Sequence, residues 1–297
     1  NTVFENNNAT NGCAMFMIPT EAPILRDITV RNHRSGNFTV SIFLTEAADE
    51  LEFLRCRFED NFFNRGNDGG GSGIWPGQIS NSTTPVVFTS CIFKQNHATT
   101  YGGAFSFGHS NNLNYSELTM QHCEFVDNLA GTSGGALCIN SYEASYIDNC
   151  TFTYNKYSNA QNNGCNAIYL QKFASTFITD TLLLDNGIKG SAIVFEGKYL
   201  YGFSSTIEYT DISASSRGIE FRNRAIVELE EMEFTHCNCN GGEGGGIFYH
   251  EVTPASDAID LVFSLEGCVF DANQAGNGSA LLLNISSTPD INNCIFK

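Results

Sequence analysis

A short string, Cys-x-Phe-x-x-Asn, returns along this chain at Cys56-Phe58-Asn61, Cys91-Phe93-Asn96, Cys123-Phe125-Asn128, Cys150-Phe152-Asn155 and Cys268-Phe270-Asn273, and starts again at Cys294-Phe296. Looser copies fill the gaps: Thr2-Phe4-Asn7, Ile28-Val30-His33, Thr181-Leu183-Asn186, Thr210-Ile212-Ser215 and Met232-Phe234-Cys237. Successive Phe slots lie 22 to 36 residues apart, inside the range that marks stacked-repeat folds. A small-residue step and an apolar stretch follow most copies, as at Gly102-Gly103-Ala104, Gly134-Gly135-Ala136, Gly245-Gly246-Ile247 and Gly278-Ser279-Ala280. Another apolar patch precedes the next Cys slot, as at Val86-Val87-Phe88 and Leu261-Val262-Phe263. Each period therefore holds about three short strands joined by turns too short for helices. That is the requirement of one coil of a parallel β-helix, each coil rising about 4.8 Å above the last. The expectation is an all-β solenoid of about ten coils, one domain over residues 1–297.

In such a stack, identical slots lie over one another. Phe58, Phe93, Phe125, Phe152 and Phe270 become an internal aromatic column. Asn61, Asn96, Asn128, Asn155 and Asn273 become a turn column, since Asn tolerates left-handed φ and bonds along its own ladder. The Gly pairs suit a corner where φ is positive or no Cβ fits. Period-two alternation puts Cys56, Cys91, Cys123, Cys150, Cys268 and Cys294 on the same inward face as Phe. Two readings stay open for them. Stacked Cα atoms fall within the disulfide window, but in-register Cβ vectors run side by side, and a column of buried thiols packs as well. Cys13, Cys138, Cys165, Cys237 and Cys239 lie outside the slot, and an odd total of 11 leaves at least one unpaired. His236-Cys237-Asn238-Cys239 lacks the second ligand pair that structural zinc requires, so no metal is assigned.

The Phe-x-x-Asn step followed by Gly-Gly-Ala or Gly-Gly-Ile resembles the polymorphic membrane protein repeat of bacterial autotransporter adhesins and large protist surface proteins. The likeness is strongest over residues 91–155 and 268–281 and weakest over 20–50 and 195–240. What it implies is a right-handed, pectin-lyase-like β-helix serving as an adhesive or structural stalk, without catalytic residues. The carboxy-terminal membrane-barrel segment of the autotransporters is missing from the pattern. Neither terminus reads as a polar cap, so the expectation is a segment of a longer solenoid or a unit that stacks end to end on other copies.

Lys and Arg number 15 against 32 Asp and Glu, a net charge of −17. That balance repels phosphate backbones and anionic lipid, which sets aside nucleic acid, and no run is long and apolar enough for membrane insertion by this segment. Acids cluster at Glu46-Asp49-Glu50-Glu52 and Glu228-Glu230-Glu231-Glu233, where a strand would turn Glu228 and Glu230 to one solvated face. Basic residues are sparse, with Arg55, Arg57, Arg217, Arg222 and Arg224 the notable groups, and no phosphate loop or nucleophile elbow appears. The expectation is a non-enzymatic, cysteine-rich extracellular module of the cell surface, structural or adhesive, of the kind that serves as a filament or surface-appendage subunit, with no cofactor. The alternative is a calcium-dependent polysaccharide lyase or glycoside hydrolase. A glycan partner would be signalled by exposed aromatics, for which Trp75 and Tyr101 are the suggestive pair. Seven Asn-x-Ser/Thr sequons occur, a number near that expected by chance from the Asn content, and Asn81 and Asn114 lie in expected loops as glycan carriers. The longest intervals, around residues 67–73 and 250–254, are the loops where a local function would sit.

Overall fold

A computed structural model describes residues 1–17, 23–43, 50–64, 74–77, 84–107, 117–141, 143–158, 164–171, 174–187, 189–210, 215–223, 225–250 and 261–297. Among these residues every regular element is a strand, and the strands stack in parallel as a β-solenoid. One sheet of 11 strands runs from Thr2–Glu5 to Ile295–Phe296 and carries the Phe slot. A second, of ten strands, runs from Ile24–Arg26 to Asp290–Asn292 and holds the apolar patches that precede the Cys slot. A third contains the strands after the small-residue step, among them Phe105–Phe107, Leu137–Ile139, Cys165–Leu170, Lys189–Phe195, Ser215–Phe221 and Ile247–His250. No helix among the described residues is long and apolar enough to cross a membrane.

The register is set by burial on one face. In Val86–Thr89, Val86 and Phe88 point inward and are buried while Val87 and Thr89 face out, and a one-residue slip would invert this. Phe58, Phe93, Phe125 and Phe152 are Cα partners in succession, continued by Leu183, Ile207, Phe234, Phe270 and Phe296. Their rings stack nearly parallel, with centroids 5.1 Å apart at Phe58–Phe93, 4.8 Å at Phe93–Phe125 and 4.4 Å at Phe125–Phe152. Each such pair contributes about 0.5–1.5 kcal/mol beyond its burial.

Three features differ from the sequence expectation. Ile207 holds the Phe slot that the spacing assigned to Ile212: Thr206–Glu208 pairs with both neighbouring coils, and buried Ser205 occupies the Cys slot, whereas Ile212 lies outside the described residues. The coils between residues 51 and 157 carry an extra two-residue strand, Phe62–Phe63, His97–Ala98, Leu129–Ala130 or Lys156–Tyr157, because the chain stays extended past the Asn corner. Finally, the left-handed residue of each bend is the one before the Asn slot, as at Asp60, Gln95, Asp127 and Tyr154, with a second set before the Cys slot at Arg55, Ser90, His122 and Asn149. The left-handed residue turns its side chain to solvent, which lets the following Asn or Cys point inward. Non-glycine residues there cost about 1–2 kcal/mol each, so the inward contacts must offset them. The Gly pairs divide their labour. Gly134 has φ of 66°, and a Cβ on Gly135 would collide with the carbonyl oxygens of Asn166 and Lys156.

Candidate functional site

From Asn61 to Asn186 the Asn column is an unbroken hydrogen-bonded spine. Asn96 Nδ2 donates to Phe58 O at 2.8 Å and to Asn128 Oδ1 at 3.1 Å; Asn128 Nδ2 donates to Phe93 O and Asn155 Oδ1, both at 2.9 Å. Asn61 and Asn155 repeat the pattern, Asn186 ends it on Phe152 O, and Asn273 donates to Phe234 O. Where Asn is replaced, the geometry is imitated. Buried His33 faces Phe4 O through Nε2 at 3.1 Å and accepts from Asn7 N at Nδ1, as an Asn would. Desolvation holds its pKa below the ordinary value, outweighing the two backbone contacts.

The Cys slot is a thiol column. Cys56, Cys91, Cys123, Cys150 and Cys268 donate to the carbonyls of Leu25, Phe53, Phe88, Met120 and Leu229 in the coil before, at 3.2–3.5 Å. Cys56, Cys91, Cys123, Cys138, Cys150, Cys165, Cys237, Cys239 and Cys268 are free thiols in the interior, and Cys294 is a free, partly exposed thiol. Burial pushes the Cys165 and Cys268 thiols up to about 12 and raises Cys138 and Cys237 further.

Two outward-facing arrangements carry polar chemistry. On the third sheet, Glu220, 5% exposed, accepts from Ser191 Oγ at 3.0 Å, Arg222 Nε at 2.7 Å and Arg217 Nη1 at 3.2 Å. Arg222 Nη1 also reaches Glu196 at 3.1 Å, and Tyr169 OH donates to the same carboxylate at 2.9 Å. Burial would lower the Arg222 pKa, but the hydrogen bonds and charge of Glu220 and Glu196 outweigh it and hold it above the ordinary value. Beside this network lies a hollow of about 390 Å³ lined by Tyr101, Thr132, Ser133, Gly164, Tyr169, Glu220 and Arg222. The two carboxylates and two guanidiniums balance, so the cluster is a neutral, prearranged polar wall.

On the second sheet, Tyr146, Phe177 and Tyr201 are register partners on the outer face, with Glu228 next. Tyr199 OH donates to Glu228 Oε2 at 2.6 Å, and Tyr201 OH to Glu230 Oε2 at 3.3 Å. Desolvation and the facing carboxylates raise both phenol pKa values.

Glu228 and Glu230 thus share an outward face as alternation predicts, but as acceptors for tyrosines. Arg55 and Arg57 make surface pairs with Asp27 and Glu59. Tyr101 is half-buried and stacks on Tyr169 at 5.8 Å. Cys237 is a buried thiol, and no group of three His, Cys, Asp or Glu side chains among the described residues is arranged to hold a metal. The side chain of Trp75, together with Asn81, Asn114, Glu46, Asp49, Arg224 and the loops at 67–73 and 251–254, lies outside the described residues. Sequence reading missed Tyr169, Ser191, Glu196 and Glu220, and the strip formed by Tyr146, Phe177, Tyr199 and Tyr201. A period-two signal marks both: Glu220 and Arg222, like Tyr199 and Tyr201, are two residues apart and share a strand face.

No protein-family model matches the chain. It is similar to the metabotropic glutamate receptor-like protein R of Dictyostelium discoideum, 26% identical over 167 residues, a stretch that takes in 56% of this chain and 10% of that protein's length.

Proposed function

We propose that the chain is a non-enzymatic module of the cell surface or extracellular space, a structural or adhesive rod segment in which the winding supplies stiffness and the outer faces supply contacts. The observation that carries this reading is the run of Phe, Cys and Asn columns: the side chains repeated most often are spent on holding coil to coil. The receptor-like name of the relative supports a place at the surface. The relationship to polymorphic membrane protein repeats, the right-handed sense of the winding and end-to-end association with further coils belong to the same proposal.

Surface biotinylation of intact cells expressing the protein tests it. Labelling without permeabilisation is expected, and labelling only after permeabilisation overturns the reading. Calcium-dependent turnover of polygalacturonate or a neutral polysaccharide, abolished in Glu220→Gln or Glu228→Gln, would overturn the non-enzymatic part.

A further inference from the structure

We propose that the outer face of the second sheet around Tyr146, Phe177, Tyr199 and Tyr201 binds an uncharged, hydroxyl-rich glycan chain laid along the stack, with Glu228 and Glu230 accepting its hydroxyl hydrogen bonds. The inference rests on the adhesive reading and names the chemistry of its target.

The aromatic residues at these outward positions are confined to one stretch. In the central column the coils before hold Val87 and Thr119 and the coils after hold Glu228 and Ser264, while Tyr146, Phe177 and Tyr201 occupy the three coils between. Tyr199 stands two residues to one side on the same face, and Phe203 two residues to the other. A contiguous aromatic patch on a water-facing strand surface marks a contact site. Within the patch, Tyr146 stacks on Phe177 at 5.0 Å and 15°, and Phe177 is tilted by 59° to Tyr199 and 53° to Tyr201. The rings form one connected aromatic surface whose leading member, Tyr146, is 36% exposed.

The polar groups are fixed beside the rings. Each tyrosine hydroxyl occupies one oxygen of its glutamate, at 2.6 Å and 3.3 Å. A carboxylate has about four lone-pair sites, so both keep acceptor capacity while their orientation is locked. Rings for C–H faces and fixed acceptors for hydroxyls are the two halves of sugar recognition, and prior fixation lowers the ordering cost of binding.

Size and charge select the occupant. Four coils by three outward columns cover about 400 Å², from strand spacings of about 4.8 Å and alternate-residue spacings near 7 Å. A stable protein partner needs about 800 Å² on each side. The backbone groups of this face are already paired in the parallel ladders, so strand addition has nothing to bond. Asp148, Glu228, Glu230 and Glu266 border the patch on a chain of net charge −17, which turns away uronates and sulfated glycans. An extended pyranose chain advances by nearly one coil per sugar, so successive units meet successive rings.

Isothermal titration calorimetry of the purified chain with cellohexaose, N-acetylchitohexaose, polygalacturonate and a lysine-rich peptide tests the proposal. Phe177→Ser and Tyr201→Ser introduce residue types found outward elsewhere on this sheet, and Glu228→Gln removes charge while keeping shape; unchanged circular dichroism verifies that each is folded. The expected result is binding of a neutral oligosaccharide, weakened at least tenfold in the ring variants and three- to tenfold in Glu228→Gln, with none to polygalacturonate. No binding of either neutral glycan, binding indifferent to these substitutions, binding of the peptide alone, or patch-dependent self-association in sedimentation would each overturn it. Surface labelling without glycan binding removes this inference and leaves the stalk reading standing; glycan binding by a protein confined inside the cell does the reverse.

Discussion

Asn128 shows at one residue why the repeat takes the form it does. Its amide donates to Phe93 O and Asn155 Oδ1, while its oxygen accepts from the backbone N–H and the side chain of Asn96. A carboxamide offers two donors and two acceptor sites in one plane, where the imidazole of His33 supplies only one ring nitrogen to each side. Alanine here orphans buried backbone groups at about 1–3 kcal/mol apiece, so Asn128→Ala should lose about 3–5 kcal/mol, read as a lower urea midpoint. His33 adds a pH dependence. Its pKa is depressed in the folded chain, so the unfolded chain binds the extra proton and stability rises with pH. The contribution is fully present above the unfolded value near 6.5 and is lost as pH falls through the folded pKa. Hydrogen-exchange protection at Asn7 and Arg34, taken relative to the intrinsic rate at each pH, should therefore fall as pH drops below about 6.5, and His33→Asn should reduce that fall; half-buried His97, whose pKa is also lowered, keeps its own share. The thiols make a third case. With Cys165 and Cys268 pushed up to about 12 by burial, little thiolate forms at neutral pH. An aromatic disulfide reagent should modify Cys294 rapidly and buried thiols such as Cys165 and Cys268 only on denaturation.

At the scale of the element, strands of three to five residues are too short to be stable alone and exist because each is paired on two sides. Their alternation sets what faces in, and the two bends set where each strand ends. The Gly step is the least replaceable part. A Cβ on Gly135 meets backbone oxygens that belong to two other coil segments, Asn166 and Lys156, and neither can retreat without breaking its ladder. Gly135→Ala should cost about 2–4 kcal/mol, in the range of overpacked cores and strained backbone. Val87→Thr, on the outer face of a neighbouring strand, should change the melting temperature by little.

The whole molecule is nearly one-dimensional: contacts join a coil to its neighbours, so stability is close to a sum of coil and interface terms. Damage should stay local. Asn128→Ala is expected to lower hydrogen-exchange protection over residues 91–157 while leaving residues 262–284 near their original values; a uniform loss along the chain would show stronger coupling than neighbour contacts supply.

The Phe, Cys and Asn columns were legible before any coordinates because a stack converts a period in sequence directly into a line in space. Phe93, Phe125 and Phe152 needed only the constant Cys-x-Phe-x-x-Asn spacing that sets each between the same two bends. The third-sheet network and the aromatic strip were not legible, since Glu196 and Glu220, or Tyr146 and Tyr201, come together only when coils of unequal length are set in register. The slip from Ile212 to Ile207 has the same origin: in the weakest copies, spacing alone leaves the register undetermined, and pairing to the coils on either side decides it. The one-dimensional pattern thus determined the interior, where every coil repeats the same contacts. Tertiary structure decided the outer surface, where neighbouring residues come from different coils and no period relates them.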